Sequence, residues 1–89
     1  MVKTHKFNGV KYDFHFGKFD GACDPPKTEG DPNIYINLDR TDTRQFLETL
    51  IHESLHACHY ACSEERVTQT AYDIARLLWR MGYRTGAKE

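Results

Sequence analysis

Two histidines and a glutamate carry the clearest chemical signal in this sequence. They occur as His52-Glu53-Ser54-Leu55-His56, with the histidines four residues apart. On a helix, residues four apart lie one turn above each other, so both imidazoles can bind one metal ion. Glu53 lies beside His52 without being needed as a ligand, which suits a base that takes a proton from a metal-activated water. The spacing therefore predicts a metal site with hydrolytic chemistry.

The motif requires a helix, and the surrounding residues predict one from Asp42 to Tyr60. Asp42 is a suitable N-cap with Gln45 as its partner three residues later, and neither glycine nor proline interrupts the run. Apolar residues recur at three- and four-residue steps, as expected for the buried side of a helix: Leu47, Leu50, Ile51, Leu55 and Cys58. Both histidines therefore lie on a predicted helix.

A catalytic zinc needs a third protein ligand and keeps one position open. His59 is seven residues beyond His52, roughly 10 Å along a helix axis, which is too far for one ion to hold all three imidazoles. A second helix is predicted to begin after the N-cap Ser63, to run to about Met81 and to end at Gly82. Its predicted inward residues are Val67, Ala71, Ile74, Ala75 and Leu78.

The start of this second helix supplies the candidate third ligand. Extending its inward side back by one turn, at about 100° per residue, places Glu64 inward and Glu65 to the side. Glu64 is therefore the predicted ligand, and Glu65 is the alternative. Cys62 is a softer alternative, because a thiolate also binds zinc. Two imidazoles and a carboxylate favour zinc over other divalent ions.

The N-terminal third of the chain predicts strands. Lys3–Phe7 and Val10–Phe16 flank Asn8-Gly9, a strong signal for a β-hairpin because both residues tolerate the positive φ of a two-residue turn. Residues 17–33 are rich in glycine, proline and aspartate and predict a long loop. A third strand, Asn33–Asp39, should pass beside the metal, where an edge strand can bind an extended substrate through its main chain.

Together these elements predict an α+β fold with a single domain, 1–89. A small, mainly antiparallel three-stranded sheet packs on two helices, in the order β-β-β-α-α, with the histidine motif on the first helix. The polar tail, 84–89, is expected to be disordered. The predicted core consists of Tyr12, Phe14, Ile34, Ile36, Leu47, Leu50, Ile51, Leu55, Ala71, Ile74 and Leu78.

Composition restricts the class of protein. Of the 89 residues, 39% are hydrophobic and 28% charged, which suits a small globular domain, and no apolar run approaches the about 18 residues of a membrane span. A net charge of −1 does not indicate the basic surface that nucleic-acid binding requires. The odd cysteine count and an N-terminus without an apolar signal core predict a cytoplasmic protein.

The motif and the glutamate that follows it resemble the gluzincin metallopeptidases, in particular the very small minigluzincins. In several gluzincin groups a small apolar residue follows the ligand glutamate by three positions, as Val67 follows Glu64. Residues 34–83 are also similar to small metallopeptidase-like proteins encoded by bacteriophages, which implies a host cytoplasm. The metzincin extension does not match, because it requires glycine at His59 and histidine at Cys62.

The resemblance implies a zinc peptidase that acts on a peptide or protein, with His52, His56 and Glu64 as ligands and Glu53 as the base. Four residues are candidates for the donor that stabilises the transition state: Tyr60, His59, Tyr72 and Tyr83.

Two other classes of function fit the same residues. One is a metal-stabilised protein-binding module without catalysis, because a structural zinc adds folding free energy to a small core. The other resembles the SprT-like proteases, which act on proteins near nucleic acid; the absence of a basic patch disfavours it. Glu53 favours catalysis, because a structural zinc site does not need a base.

Overall fold

The described part of the chain contains four strands and two helices. A computed structural model describes residues 2–27, 29–38 and 43–84. The elements are β1 (Thr4–Phe7), β2 (Val10–Gly17), β3 (Ala22–Cys23), β4 (Asn33–Asn37), α1 (Arg44–Cys58) and α2 (Glu64–Arg80). The strands form one mixed sheet in the order β1-β2-β4-β3. The predicted α+β class is confirmed, but the prediction of a three-stranded, mainly antiparallel sheet was wrong.

The hairpin between β1 and β2 forms as predicted. Asn8 and Gly9 both have positive φ, 53° and 79°, and Phe7 pairs with Val10 across the turn. Positive φ at both central residues matches the twist of the two strands. This turn fixes the register, so Tyr12, Phe14 and Phe16 share one side of β2.

The sheet differs from the prediction because β2 and β4 pair in parallel, with Phe14 opposite Ile34. A parallel pair needs a long crossover connection, and residues 18–32 supply it. The unusual length of this segment was visible in the sequence. Its consequence for strand direction was not predicted.

The crossover contains the extra strand β3, which pairs antiparallel with β4. A strand of two residues has no periodicity, and the sequence therefore gave no sign of it. Since β4 lies between β2 and β3, it is an interior strand, and the expectation that it could serve as an edge strand for a substrate was wrong. Of the two edge strands, β1 and β3, it is β3 that contacts α1 more extensively.

Helix α1 begins one residue later than the predicted cap implies. Thr43 is the N-cap, and its hydroxyl accepts a hydrogen bond from the Phe46 backbone N–H at 3.2 Å. The predicted cap, Asp42, lies outside the described residues. Both residue types are good caps, so composition alone did not choose between neighbours.

Helix α2 begins and ends where the sequence predicts. The Ser63 hydroxyl accepts from the Arg66 backbone N–H at 3.2 Å. At the other end Gly82 has φ of 93°, and the Tyr83 N–H donates to Leu78 O at 3.0 Å, which closes the helix with a left-handed residue. Neither described helix is long and apolar enough to cross a membrane. Beyond Arg84, the predicted disordered tail lies outside the described residues.

The core lies mainly between the sheet and α1. Its fully or nearly buried members are Tyr12, Ile34, Ile36, Phe46 and Ala57. Of the other predicted core residues, Ala71 is buried, and six are half-buried: Phe14, Leu47, Leu50, Ile51, Leu55 and Leu78.

Ile74 was wrongly assigned to the core, since it is 38% exposed. Among the described elements, α2 packs against α1 alone, with Val67, Ala71 and Ala75 as its buried residues. The side of α2 that carries Ile74 therefore has no neighbouring element to cover it.

Candidate metal centre

Helix α1 presents both histidines of the motif on one side. The rings of His52 and His56 lie one turn apart, with centroids 4.9 Å from each other and planes at 67°. Both side chains are mostly covered, at 19% and 15% exposed. The helix thus holds two imidazole nitrogens close together at the protein surface.

Glu64 completes the group from the first turn of α2. Its Oε2 lies 2.8 Å from His52 Nε2, and its Oε1 lies 2.8 Å from His56 Nε2. The short connection after α1, in which the Cys62 N–H donates to His59 O at 2.9 Å, returns the chain to the histidines. Residues from two helices therefore converge on one point.

These three residues are positioned to bind a metal ion. Their ligand atoms lie within 4.8 Å of one another, and no other such group occurs among the described residues. Ligand atoms around a tetrahedral zinc with bonds of about 2.0 Å are roughly 3.3 Å apart, so the 2.8 Å contacts need to widen only slightly. The donor set fits a divalent metal ion.

The histidines also set the charge state of Glu64. Partial desolvation acts to raise its pKa, but the hydrogen bond from His56 and the nearby His52 outweigh it, so the pKa of Glu64 is lowered from its ordinary value. A carboxyl with a lowered pKa is ionised over a wider pH range, which is the form that binds a metal.

Two alternative ligands lie outside this group. Glu65 follows Glu64 on α2 and is exposed, and it does not belong to the cluster of ligand atoms. Cys62 lines the same cavity, but its sulfur is also outside the cluster. The structure brings together His52, His56 and Glu64.

Glu53 differs from the ligands because it is buried. Only 5% of it is exposed, since it lies on the sheet-facing side of α1 with Phe46 and Ala57. Burial raises the pKa of Glu53 above its ordinary value, with His52 and His56 acting in the opposite direction. A carboxyl with a raised pKa is a stronger proton acceptor when ionised.

The wall opposite the histidines comes from β3 and the residue before it. Gly21, Ala22 and Cys23 line a cavity of about 420 Å³ together with His52, Glu53 and His56. A Cβ atom on Gly21 would lie 2.7 Å from Glu53 Oε2, so any other residue at position 21 would force the Glu53 carboxylate to move. Sequence reasoning missed Gly21, because a single glycine in a loop has no informative spacing.

Cys23 and Asp24 are neighbours in the sequence, but their side chains have different surroundings in the structure. Cys23 faces the cavity, and burial, followed by the charge of Glu53, raises the pKa of its thiol to about 12. Asp24 instead accepts hydrogen bonds from the Asn33 backbone N–H at 2.9 Å and from its side chain at 3.0 Å. Asp24 therefore ties β3 to β4.

One of the four candidate donors lies at the cavity. Tyr60 lines it, is 46% exposed, and has its ring centroid 6.3 Å from that of His56. Tyr72 contacts Arg76, and Tyr83 lines a different depression beside Trp79. His59 does not line the cavity. The geometry therefore favours Tyr60.

Comparisons with protein-family models, with curated proteins and with solved structures found no match. The resemblance to gluzincins thus rests on the motif and on Glu64.

Proposed function

We propose that the chain is a zinc-dependent peptidase of the gluzincin type. The observation that carries this proposal is the position of Glu53, a buried carboxylate on the wall of the cavity that also contains His52, His56 and Glu64. A metal that only stabilises the fold needs no such neighbour. Burying a carboxylate costs free energy, which a catalytic role would explain.

Zinc is the metal that the ligands suit best. Two imidazoles and one carboxylate leave the fourth tetrahedral position open, as in catalytic rather than structural zinc sites. At these three residues, a zinc ion would supply a bound water of lowered pKa and would polarise the carbonyl of the substrate. Glu64 contributes the negative charge, and its two contacts with the histidines hold all three side chains in place.

Glu53 is the proposed general base. It takes a proton from the attacking water and later returns it to the nitrogen of the departing amine, so that one residue serves as base and then as acid. The contact with Gly21 on one side and the sheet-facing packing of α1 on the other restrict where its carboxylate can lie. Such restriction positions a catalytic group before the substrate binds.

The substrate is proposed to lie along β3. This strand is the end of the sheet, so one of its edges is unpaired among the described strands, and its residues line the cavity. An extended peptide can add to such an edge by main-chain hydrogen bonds, which hold a peptide bond beside the metal with little regard to side chains. Tyr60 is the proposed donor to the developing oxyanion.

The test compares zinc content and peptide cleavage in the wild type and in Glu53→Gln. We expect one zinc per chain in both proteins and cleavage of a mixed peptide library by the wild type alone. A Glu53→Gln protein that cleaves as fast as the wild type would refute the assignment. A wild type without zinc would refute the metal site.

A second candidate is a metal-stabilised binding module. The contacts of Glu64 with both histidines join the start of α2 to α1, so a bound ion would fasten the two helices together. In this case zinc removal unfolds the chain, and neither the wild type nor Glu53→Gln cleaves any peptide.

A further inference from the structure

Beside the side that it buries against α1, helix α2 carries a row of one half-buried residue, Thr70, and three exposed ones. We call this row the outer stripe; it consists of Thr70, Ile74, Leu77 and Met81. Ile74, Leu77 and Met81 are 38%, 58% and 68% exposed. The steps of four, three and four residues place all four along one side of the helix. Three large apolar side chains in a continuous row differ from the scattered ones that ordinary surfaces carry.

Elsewhere the exposed residues of α2 are mostly polar, and two pairs of them are hydrogen-bonded within the helix. Gln69 Nε2 donates to Asp73 Oδ1 at 3.1 Å. Arg76 donates to the Tyr72 hydroxyl at 3.0 Å and covers its ring. The large aliphatic side chains that α2 exposes are therefore confined to the outer stripe.

We propose that the outer stripe is the interface of a homodimer in which two α2 helices pack antiparallel. That a second copy of the chain covers the stripe is inferred from the charged residues beside it. Asp73 and Arg80 are exposed and lie along the same edge of the stripe, each immediately before one of its residues, Ile74 and Met81. A surface with both an acid and a base on one edge can complement a reversed copy of itself.

The register follows from the spacing. In a heptad, Ile74 and Met81 occupy a positions, and Thr70 and Leu77 occupy d positions. In an antiparallel pair of helices, each a position packs against a d position of the other helix. If Ile74 packs against Leu77 of the second copy, then Met81 packs against Thr70 of that copy. The same register places Asp73 opposite Arg80 of the second copy. The two-fold axis repeats this ion pair on the other side.

A parallel pair would not use these charges. In a parallel coiled coil the position of Asp73 faces the position five residues further along the other helix, which is Leu78. Asp73 would then face an apolar side chain, and Arg80 would lack an acidic partner. The sequence of α2 therefore favours the antiparallel arrangement.

The test is sedimentation equilibrium on the full chain at about 5 to 500 µM. A single helix pair buries less than the roughly 1,200 Å² at the low end of standard interfaces, so we expect a dissociation constant of about 10 to 100 µM. Leu77→Glu should weaken the dimer at least about tenfold. Thr68→Glu adds the same charge on the opposite side of α2 and should dimerise like the wild type. Circular dichroism checks that both variants fold.

Charge reversal tests the register. Asp73→Arg and Arg80→Asp should each weaken the dimer roughly three- to tenfold, because each places like charges opposite one another. An equimolar mixture of the two variants should associate better than either alone, since unlike charges then meet at both pairs. A mixture no better than its components overturns the antiparallel register. A wild type that stays monomeric throughout overturns the dimer and leaves the stripe to a different partner.

Discussion

The carboxylate of Glu53 lies against the backbone of Gly21, so closely that a Cβ atom on Gly21 would be 2.7 Å from Glu53 Oε2. The two residues are far apart in sequence, so their contact could not be predicted from either residue alone. Their contact joins the motif helix to the wall formed by β3.

Gly21→Ala should lower kcat/KM about tenfold or more while leaving zinc content unchanged. The atoms nearest to the added methyl group belong to Glu53 and Thr49, so it should displace the proposed base and affect catalysis more than metal binding. Gly17→Ala is the matched control: the atoms nearest to its Cβ belong to the exposed Phe19 ring, at 3.0 Å, and Phe19 does not line the cavity. Equal activity of wild type and Gly21→Ala would show that Glu53 need not occupy this position.

Glu64→Gln should weaken zinc binding at least about a hundredfold, whereas Glu65→Gln should leave it unchanged. An amide carries no charge and binds zinc poorly, and only the first of these residues contacts the histidines. The two variants differ by one position and remove the same charge. Competition with a chromophoric chelator measures the affinity, and equal affinities of the two variants would contradict the assignment of Glu64.

Tyr60→Phe should lower kcat about tenfold or more with little change in KM. A hydroxyl that donates to the oxyanion acts mainly in the transition state, so its removal affects turnover rather than substrate binding. Tyr72→Phe is the control, because that hydroxyl accepts from Arg76 on the far side of α2. If both variants kept full kcat, the donor would have to be sought elsewhere.

Alkaline pH should destabilise the chain through Cys23. Burial, followed by the charge of Glu53, raises the pKa of this thiol from 9.0 to about 12. Between these values the unfolded chain loses the proton while the folded chain keeps it. This contribution to stability is therefore complete below pH 9 and is lost as pH rises towards about 12.

Urea unfolding at pH 8 and pH 10.5 measures this effect. The free energy of unfolding of the wild type should fall more between the two pH values than that of Cys23→Ala, which lacks the thiol. Identical changes in the two proteins would mean that the Cys23 thiol does not titrate differently on folding.

The sequence revealed the features that depend on neighbouring residues. Asn8-Gly9, the cap Ser63 and the terminator Gly82 each determine a local backbone geometry, and each appears as predicted. The spacing of His52 and His56 follows from the helical repeat. Glu64 could be selected because it lies at the start of a helix with a recognisable inward side.

What the sequence did not reveal depends on contacts between distant segments. The parallel pairing of β2 with β4 and the presence of β3 follow from the path of the crossover, which has no periodic pattern. Ile74 matched an inward position on α2, yet α2 has only one neighbouring element among the described ones. Hydrophobic periodicity shows which side of a helix is apolar, but the tertiary arrangement determines how much of it is covered.

The ligands and the wall of the cavity also differ in how they assemble. His52, His56 and Glu64 lie in one short stretch of two adjoining helices, whereas the contact between Gly21 and Glu53 joins segments that are much further apart in the chain. Contacts between nearby residues form faster during folding than contacts that close long loops. The two helices are therefore expected to pair before the cavity is complete, and an ion bound by His52, His56 and Glu64 would stabilise that pair before the sheet has formed.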